Sequence, residues 1–240
     1  MATFVIVHGA WGGGYSWNRW VAPKLRDAGH TVFTPTLTGL GERAHLANPD
    51  VSLDTHVQDV ANVLFYEDLH DVVLAGHSYG GMVITGVAGR APERLSQLVY
   101  LDAFVPEDGQ SLADLTGPES AARTRAAVDA EGDGWRIPGM PPAPNTPAGL
   151  LEWTMPRRNM QPVRTFTEPV RLPNGPVALT RTYVYCSDKG QPNGVFAQFA
   201  TRLRTDPAWR YYDVSTGHNL MYSAVDETVR ILREVAEARP

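Results

Sequence analysis

The sequence predicts an α/β fold whose sheet is mostly parallel and covered by helices on both faces. Short apolar runs rich in β-branched residues alternate with stretches of helical apolar spacing, and one Pro-rich segment interrupts this alternation. Parallel neighbours need long crossover connections, usually helices, so a repeated strand-helix order indicates a sheet covered on both sides. With 240 residues, 43% of them hydrophobic, the chain can bury the core of one domain of this kind.

The individual elements follow from apolar spacing and from residues that begin or end helices. Gly29 ends the first predicted helix, and Asp54 can cap the second, whose apolar residues recur at helical intervals. The predicted strands cover residues 4–7, 31–34, 72–75, 98–101, 178–186 and 209–214. The predicted helices cover residues 21–28, a stretch beginning at Asp54, and residues 81–88 and 224–238.

The Pro-rich segment divides the chain. Residues 106–176 carry many of the prolines and have helix-like pieces at 118–130 and 147–154. We interpret this segment as an inserted cap, or lid, of short helices. The core is then formed by residues 1–105 and 177–240.

Charge and composition exclude several classes of partner. The net charge of −5, with dispersed Lys and Arg, gives no basic stripe for nucleic acid, and no apolar run is long enough to cross a membrane. The first residues resemble a strand rather than a signal peptide. A single cysteine, Cys186, and the lack of a Cys/His cluster with zinc spacing indicate a reducing, cytoplasmic setting and no structural metal. No feature indicates an oligomeric state.

Ser78 is the candidate nucleophile. It lies at the centre of Gly76-His77-Ser78-Tyr79-Gly80, directly after one predicted strand and before a predicted helix. A strand, a sharp turn and a helix in this order expose a hydroxyl at the edge of a sheet. Because a Ser hydroxyl is a weak nucleophile at neutral pH, it needs a base and an acid that orients that base.

His218 and Asp188 are the preferred base and acid. His218 lies in a turn between the last strand and the last helix, where a base would follow the nucleophile and the acid in the chain. Asp188 comes just after the penultimate strand, at the same edge of the sheet. Asp102 is the competing acid, because it also ends a predicted strand. His77 is more consistent with packing than with catalysis.

Backbone amides supply the candidate oxyanion hole. One donor is the amide of Tyr79, directly after the nucleophile, and the other is the amide of Ala10, in the turn after the first strand. The adjacent run Gly12-Gly13-Gly14 lacks the Lys and Ser/Thr that a phosphate-binding loop requires.

Together these motifs resemble those of the α/β-hydrolase superfamily, and more narrowly the small plant-type methylesterase and hydroxynitrile lyase group with its bacterial esterase relatives. The resemblance implies an α/β-hydrolase fold, a Ser-His-Asp triad without a cofactor, a helical lid over an apolar pocket, and carboxylic ester hydrolysis through an acyl-enzyme. The motifs that carry it are His8-Gly9-Ala10-Trp11-Gly12-Gly13, residues 36–43, residues 76–81, Cys186-Ser187-Asp188-Lys189-Gly190 and Gly217-His218.

Two positions separate the reactions of this group. The lyases, as the family is known, carry a Thr after the first motif His and a Lys after the catalytic His; here these positions are Gly9 and Asn219. The missing positive charge favours an esterase over a cyanohydrin lyase. Haloalkane dehalogenase and epoxide hydrolase are disfavoured because Ser78 replaces their Asp nucleophile. A non-catalytic ligand-binding protein with this fold stays open as an alternative.

The substrate is expected to be a small or medium, largely apolar ester, since no charged side chain clearly meets an anionic group. Aromatic and thioether side chains suit such a pocket, and each is also consistent with ordinary packing. The candidate pocket residues are Trp11, Tyr15, Trp153 and Met155, with Tyr79 also able to approach substrate.

Overall fold

The computed structural model describes residues 1–142, 146–175, 178–189 and 194–238. Its main sheet has six parallel strands in the order β2-β1-β3-β4-β7-β8. The predicted parallel sheet is thereby confirmed. The strands are β1 Thr3–Val7, β2 Thr31–Phe33, β3 Val72–His77, β4 Leu95–Leu101, β5 Arg136–Ile137, β6 Gln161–Pro162, β7 Thr180–Cys186 and β8 Trp209–Val214; β5 and β6 form a separate antiparallel pair.

Helices cover both faces of the sheet. Side chains alternate along each strand, so that Val5 and Leu74 enter one core with α3, α4 and α9, whereas Phe4 and Val73 enter a second core with α2 and α11. The helices are α1 Tyr15–Asn18, α2 Val21–Asp27, α3 Leu53–Tyr66, α4 Gly80–Arg90, α5 Leu112–Thr116, α6 Pro118–Glu131, α7 Ala148–Thr154, α8 Arg164–Thr167, α9 Val195–Leu203, α10 Leu220–Ser223 and α11 Val225–Glu237. Short 3-10 helices cover Gly41–Leu46, Pro92–Arg94 and Met155–Arg157.

The cap of α3 differs from the prediction. Ser52, not Asp54, is the N-cap residue: its hydroxyl accepts from the Thr55 amide at 3.4 Å, and the Thr55 hydroxyl accepts from the Ser52 amide at 3.2 Å. Asp54 lies in the first turn and pairs with Arg90 of α4. Asp and Ser both favour helix starts, so the sequence alone does not choose between neighbours two residues apart.

Residues 106–176 add no strand to the main sheet in the part that the structure describes. They form α5 to α8 and the β5-β6 pair, so the helix-like pieces predicted at 118–130 and 147–154 correspond to α6 and α7. The predicted junction between residues 176 and 177 lies outside the described residues. We call residues 106–175 the inserted segment below. Across the described ranges, no helix combines the length and apolarity needed to cross a bilayer.

The order of the strands indicates where a ligand would bind. After β1 the chain moves outward to β2, then returns to place β3 on the other side of β1. The connections that leave β1 and β3 therefore run in opposite directions, and ligands of open α/β sheets bind beside the carboxyl ends of strands arranged in this way. The turn that begins after Val7 and the turn that contains Ser78 lie at these ends.

Candidate active site

Ser78 occupies a strained turn at the end of β3. Its φ is 54°, in the left-handed region that residues with a side chain seldom adopt. The turn is held from both sides: the Ser78 amide donates to the Leu101 carbonyl at 3.4 Å, and the Ser78 carbonyl accepts from the amides of Gly81 and Phe104, each at 3.1 Å. The backbone of the turn is consequently held at the carboxyl edge of the sheet.

Glycines let α4 start directly against the strands. A Cβ on Gly80 would lie 2.7 Å from the Val7 carbonyl oxygen, and one on Gly76 would lie 2.5 Å from the Gly80 carbonyl oxygen. A side chain at either position would push the start of α4 away from β1. The Ser78 turn therefore depends on both glycines.

His218 lies in the turn between β8 and α10, as the sequence predicts. Its Nδ1–H donates to Oδ2 of Asp102 at 2.6 Å. The ring of Phe196 stacks on its face with centroids 5.0 Å apart, and His77 Nε2 donates to its backbone carbonyl at 2.9 Å. The imidazole of His218 is thus positioned by the Asp102 carboxylate, by the face of the Phe196 ring and by the hydrogen bond to its own carbonyl. The tautomer that donates from Nδ1 leaves a lone pair on Nε2.

Asp102 is fully buried at the end of β4. Its φ of 46° turns the side chain toward β7 and β8, where Oδ1 accepts from the Cys186 amide at 3.2 Å and both oxygens accept from Lys189 Nζ at 2.5 and 2.7 Å. Burial alone would raise the pKa of this carboxyl. The hydrogen bond from His218 and the charges of His218 and Lys189 outweigh burial and hold the pKa of Asp102 below its usual range.

Asp188, the acid preferred from the sequence, does not make this contact. Its side chain is exposed, and its backbone amide donates to the Thr216 carbonyl at 3.0 Å. The pairing expected between Asp188 and His218 is therefore corrected to one between Asp102 and His218. The physical reason is the left-handed turn at Asp102, which brings the β4 carboxylate beside His218 while Lys189, rather than Asp188, points inward after β7.

The amides of Ala10 and Tyr79 flank Ser78. Ala10 follows β1, and Tyr79 is the N-cap residue of α4. Among the described residues, neither amide has a protein acceptor. The two turns are in close contact, because a Cβ on Gly9 would lie 3.1 Å from Ser78 Cβ and 2.8 Å from His77 Nδ1.

Trp11 joins the turn after β1 to the inserted segment. Its amide donates to Gln161 Oε1 at 3.1 Å, its indole N–H donates to the Ile137 carbonyl at 3.1 Å, and its carbonyl accepts from the Asn159 amide at 3.1 Å. Its φ is 61°. The Trp11 ring also contacts the Phe166 ring, with centroids 5.9 Å apart. Phe166 lies beside the Ser78 turn, because its ring stacks on that of Tyr79 with centroids 5.7 Å apart.

Of the other three pocket candidates, Tyr15 and Trp153 contact each other in an aromatic cluster, and Met155 is outside it and partly exposed. Tyr15 meets Trp153 at 5.5 Å and donates to the Arg157 carbonyl, whereas Met155 is 44% exposed. Trp153 lines a cavity of about 330 Å³ that neither Ser78 nor His218 borders. Of the four candidates, Trp11 has a ring contact that leads to the Ser78 turn, through Phe166 and Tyr79.

Several residues of the site carry no local signal of their role. Tyr79 has a fully buried side chain whose hydroxyl donates to His56 Nδ1 at 2.8 Å, so its phenol supports the turn. Gln161, Lys189 and Phe196 contact the predicted residues from far along the chain. Lys189 stands next to Asp188 in a motif that the sequence had already singled out. Over the described part of the chain, no group of three or more His, Cys, Asp or Glu residues could hold a metal ion.

Comparison with known proteins gives consistent matches over nearly the whole chain. The model of the alpha/beta hydrolase family matches residues 4–231. The chain is 41% identical to the carbendazim hydrolyzing esterase of Nocardioides sp. (strain SG-4G) over 235 residues, covering 95% of this chain and 96% of the relative. It is 32% identical to methylesterase 1 of Arabidopsis thaliana over 110 residues, 45% of this chain and 41% of the relative.

Among solved structures, an extracellular alpha/beta-hydrolase from a Paenibacillus species superimposes with a TM-score of 0.84 at 25% identity, covering 98% of both chains. That protein is described as sharing structural and functional homology with tobacco salicylic acid binding protein 2. The match extends over the sheet, its helices and the inserted segment alike.

Proposed function

The chain belongs to the alpha/beta hydrolase family, and from this premise we propose that it is a serine carboxylesterase acting on a small to medium, largely apolar ester. The resemblance to the methylesterase and bacterial esterase group is confirmed by the family match and by relatives named as esterases. Those names support hydrolysis of an ester bond. The substrate and the roles of individual residues are our proposal.

The hydrogen bond between His218 Nδ1 and Asp102 is the single observation that carries the proposal. A buried carboxylate on Nδ1 fixes the imidazole as the tautomer whose Nε2 can accept a proton, and it stabilises the imidazolium that forms. With Ser78 held in its strained turn, we assign Ser78 as nucleophile, His218 as base and Asp102 as acid, in place of Asp188.

The reaction has two halves. Ser78 Oγ attacks the ester carbonyl carbon while His218 takes the hydroxyl proton, and the amides of Ala10 and Tyr79 donate to the oxygen that becomes negative. His218 then gives the proton to the leaving alcohol, which departs as the acyl-enzyme forms. A water molecule repeats the attack, and the carboxylic acid leaves Ser78 free again.

The surroundings of the triad support an apolar substrate. Phe196 covers one face of His218, and Phe104 meets Phe196 edge to face with centroids 5.0 Å apart. Phe166 and Trp11 lie on the Tyr79 side. We propose that these rings and the inserted segment enclose the acyl and alcohol groups, with residues 106–176 acting as the lid.

Two positions argue against cyanohydrin cleavage on this scaffold. Gly9 has no room for a side chain beside Ser78, and Asn219 supplies no positive charge after His218. The nearby ammonium of Lys189 is bound by Asp102. The site therefore favours ester hydrolysis over the lyase reaction.

We propose a reducing, cytoplasmic setting because the single cysteine, Cys186, is free. Cys186 is buried in β7, and burial raises the pKa of its thiol well above the usual range, so the unreactive thiol form dominates. The thiol therefore plays no part in the proposed reaction.

Ester hydrolysis by the wild type and by Ser78→Ala tests the proposal. We expect the wild type to hydrolyse p-nitrophenyl acetate and butyrate and Ser78→Ala to fall to the buffer rate. Carbendazim, named for the 41% identical relative, belongs in the panel. Equally negligible rates in both proteins across the panel would favour a ligand-binding protein, and Ser78-dependent release of benzaldehyde and cyanide from mandelonitrile would favour a lyase.

A further inference from the structure

We propose that Lys189 is a positioning residue that clamps the Asp102 carboxylate in the orientation that accepts the hydrogen bond from His218. This inference rests on the proposed function, because it assigns Lys189 a part in the same Ser78, His218 and Asp102 site. It adds a fourth polar residue to the triad.

The clamp is a short, buried, two-point contact. Lys189 Nζ lies 2.5 Å from Oδ1 and 2.7 Å from Oδ2 of Asp102, and the side chains of Lys189 and Asp102 are 10% and 0% exposed. With the Cys186 amide on Oδ1 and His218 on Oδ2, the carboxylate has protein donors on both oxygens. Rotation of the carboxylate away from His218 would break the contacts with Lys189 as well.

Aromatic rings keep this charged group out of water. The Lys189 ammonium lies 4.4 Å from the ring centroid of Tyr185 and 4.9 Å from that of Phe196, and Phe196 also stacks on His218. Solvent therefore screens the charges of Lys189, Asp102 and His218 less than it would on an open surface. An exposed lysine pair would carry little weight, but this one is enclosed.

The ammonium of Lys189 also balances the charge of Asp102. The carboxylate is therefore buried as part of a hydrogen-bonded ion pair rather than as an isolated charge.

The other titratable side chains packed on this pair are neutral and do not replace Lys189 as a charged partner of Asp102. His77 of β3 faces the His218 ring, but burial first and the charge of His218 second lower the pKa of His77 to about 3, so it is neutral. Tyr185 of β7 has a raised pKa, chiefly from burial, and is neutral as well. Phe196 of α9 does not titrate. Among the described residues packed on the pair, the charged groups are therefore Asp102 and Lys189.

Three substitutions separate the clamp from the charge. Lys189→Met removes both, Lys189→Gln keeps a donor without the charge, and Lys189→Arg keeps the charge and the donors. Lys24→Met is the matched control, because Lys24 pairs with Asp226 on the surface, where the two side chains are 51% and 89% exposed. The assay is kcat and KM for a p-nitrophenyl ester between about pH 5 and 9, with folding checked by thermal unfolding.

We expect the loss of the clamp to appear in kcat rather than in KM. Lys189→Arg should restore kcat toward the wild-type value, and Lys24→Met should leave it unchanged. The plateau kcat should fall by about 10-fold in Lys189→Met and less in Lys189→Gln. KM should be nearly unchanged, because the substitutions remove a contact to the Asp102 carboxylate and no contact to the substrate.

An unchanged kcat in folded Lys189→Met and Lys189→Gln would overturn the inference, and so would an equal loss of kcat in Lys24→Met or no recovery of kcat in Lys189→Arg. If Lys189→Met does not fold, Lys189→Gln against Lys189→Arg decides. Failure of the proposed function has a different signature, namely a wild type no more active than Ser78→Ala. A harmless Asp102→Asn in an enzyme that depends on Ser78 would reject both the acid assignment and the clamp.

Discussion

His218 Nδ1 donates a hydrogen bond to Asp102 at 2.6 Å. The two residues are far apart in the sequence, because Asp102 lies at the end of β4 and His218 lies in the turn after β8. The two strands are not neighbours, because β7 lies between them in the sheet. The pair therefore depends on the left-handed turn at Asp102, which carries its carboxylate past the end of β7.

Asp102→Asn should lower kcat/KM by about 10³ to 10⁴-fold, whereas Asp188→Asn should stay within about two-fold of the wild type. An amide in place of the carboxylate presents a donor to His218 and favours the wrong tautomer. Steady-state kinetics on a p-nitrophenyl ester, with unfolding midpoints as the folding check, measure both variants. A larger loss in Asp188→Asn would restore Asp188 as the acid.

Gly9→Ala should lower kcat by about 10 to 100-fold, since the added methyl would lie within 2.8 Å of His77 Nδ1 and 3.1 Å of Ser78 Cβ. Displacing His77 also disturbs its hydrogen bond to the His218 carbonyl. Gly12→Ala is the control in the same turn, because the atom nearest its Cβ would be 3.7 Å away. Equal kcat values for Gly9→Ala and the wild type would mean that the turn after β1 can move away from the Ser78 turn without loss of activity.

Tyr79→Phe should reduce the free energy of unfolding by about 1 to 3 kcal/mol while kcat stays within a few-fold of the wild type. The phenol donates to buried His56 Nδ1, and the proposed reaction uses only the backbone amide of Tyr79. Denaturant unfolding and ester kinetics report the two effects separately. Tyr66→Phe, at a 79% exposed position, is the control. A loss of kcat without a loss of stability would instead support the hypothesis that the Tyr79 side chain contacts the substrate.

Acid should destabilise the fold in part through His8. Burial, opposed by the hydrogen bond to Gly9, lowers the pKa of His8 from 6.5 to about 4. The Nε2 atom of His8 accepts a hydrogen bond from the Leu37 amide. Protonation of Nε2 would therefore place its N–H donor against the N–H donor of Leu37. In the unfolded chain His8 takes up a proton near pH 6.5, whereas in the folded chain His8 does so only near pH 4. The stability due to neutral His8 is therefore present above pH 6.5 and lost as the pH falls toward 4, about 3 kcal/mol at most.

Unfolding free energies of the wild type and His8→Gln from pH 7 to 4 measure this contribution. Gln can keep both hydrogen bonds without titrating, so the variant should lose less stability than the wild type over this interval. His45→Gln, which removes an exposed imidazole, should follow the wild type. Parallel curves for the wild type and His8→Gln would show that His8 does not contribute.

The sequence predicted where Ser78 and His218 lie, because each follows a strand and has a local pattern of its own. Ser78 lies in a strand-turn-helix pentapeptide and His218 in the last turn before the closing helix, and the structure has both at the carboxyl edge of the sheet. The carboxylate that contacts His218 could not be chosen in this way, because Asp102 and Asp188 both follow strands and the contact depends on the backbone turn at Asp102.

The pocket was less predictable for a similar reason. Which aromatic side chains approach Ser78 depends on how the inserted segment packs on the core, a long-range contact without a local pattern. Trp11 reaches Phe166, whereas Tyr15 and Trp153 pair with each other away from Ser78. Gln161 and Lys189 contact the site through side-chain hydrogen bonds to residues far away in the sequence, for which composition and periodicity give no signal.

The hydrogen bonds of Trp11 restrict how this protein can be re-engineered. The turn after β1 is anchored by the Gln161 side chain and by the main chain at Ile137 and Asn159, all within the inserted segment. A chimera that borrows this segment from a relative to change substrate preference must bring an acceptor equivalent to Gln161 and keep the spacing between these three anchors. Otherwise the transplant would alter the turn that carries Ala10 together with the pocket it was meant to redesign.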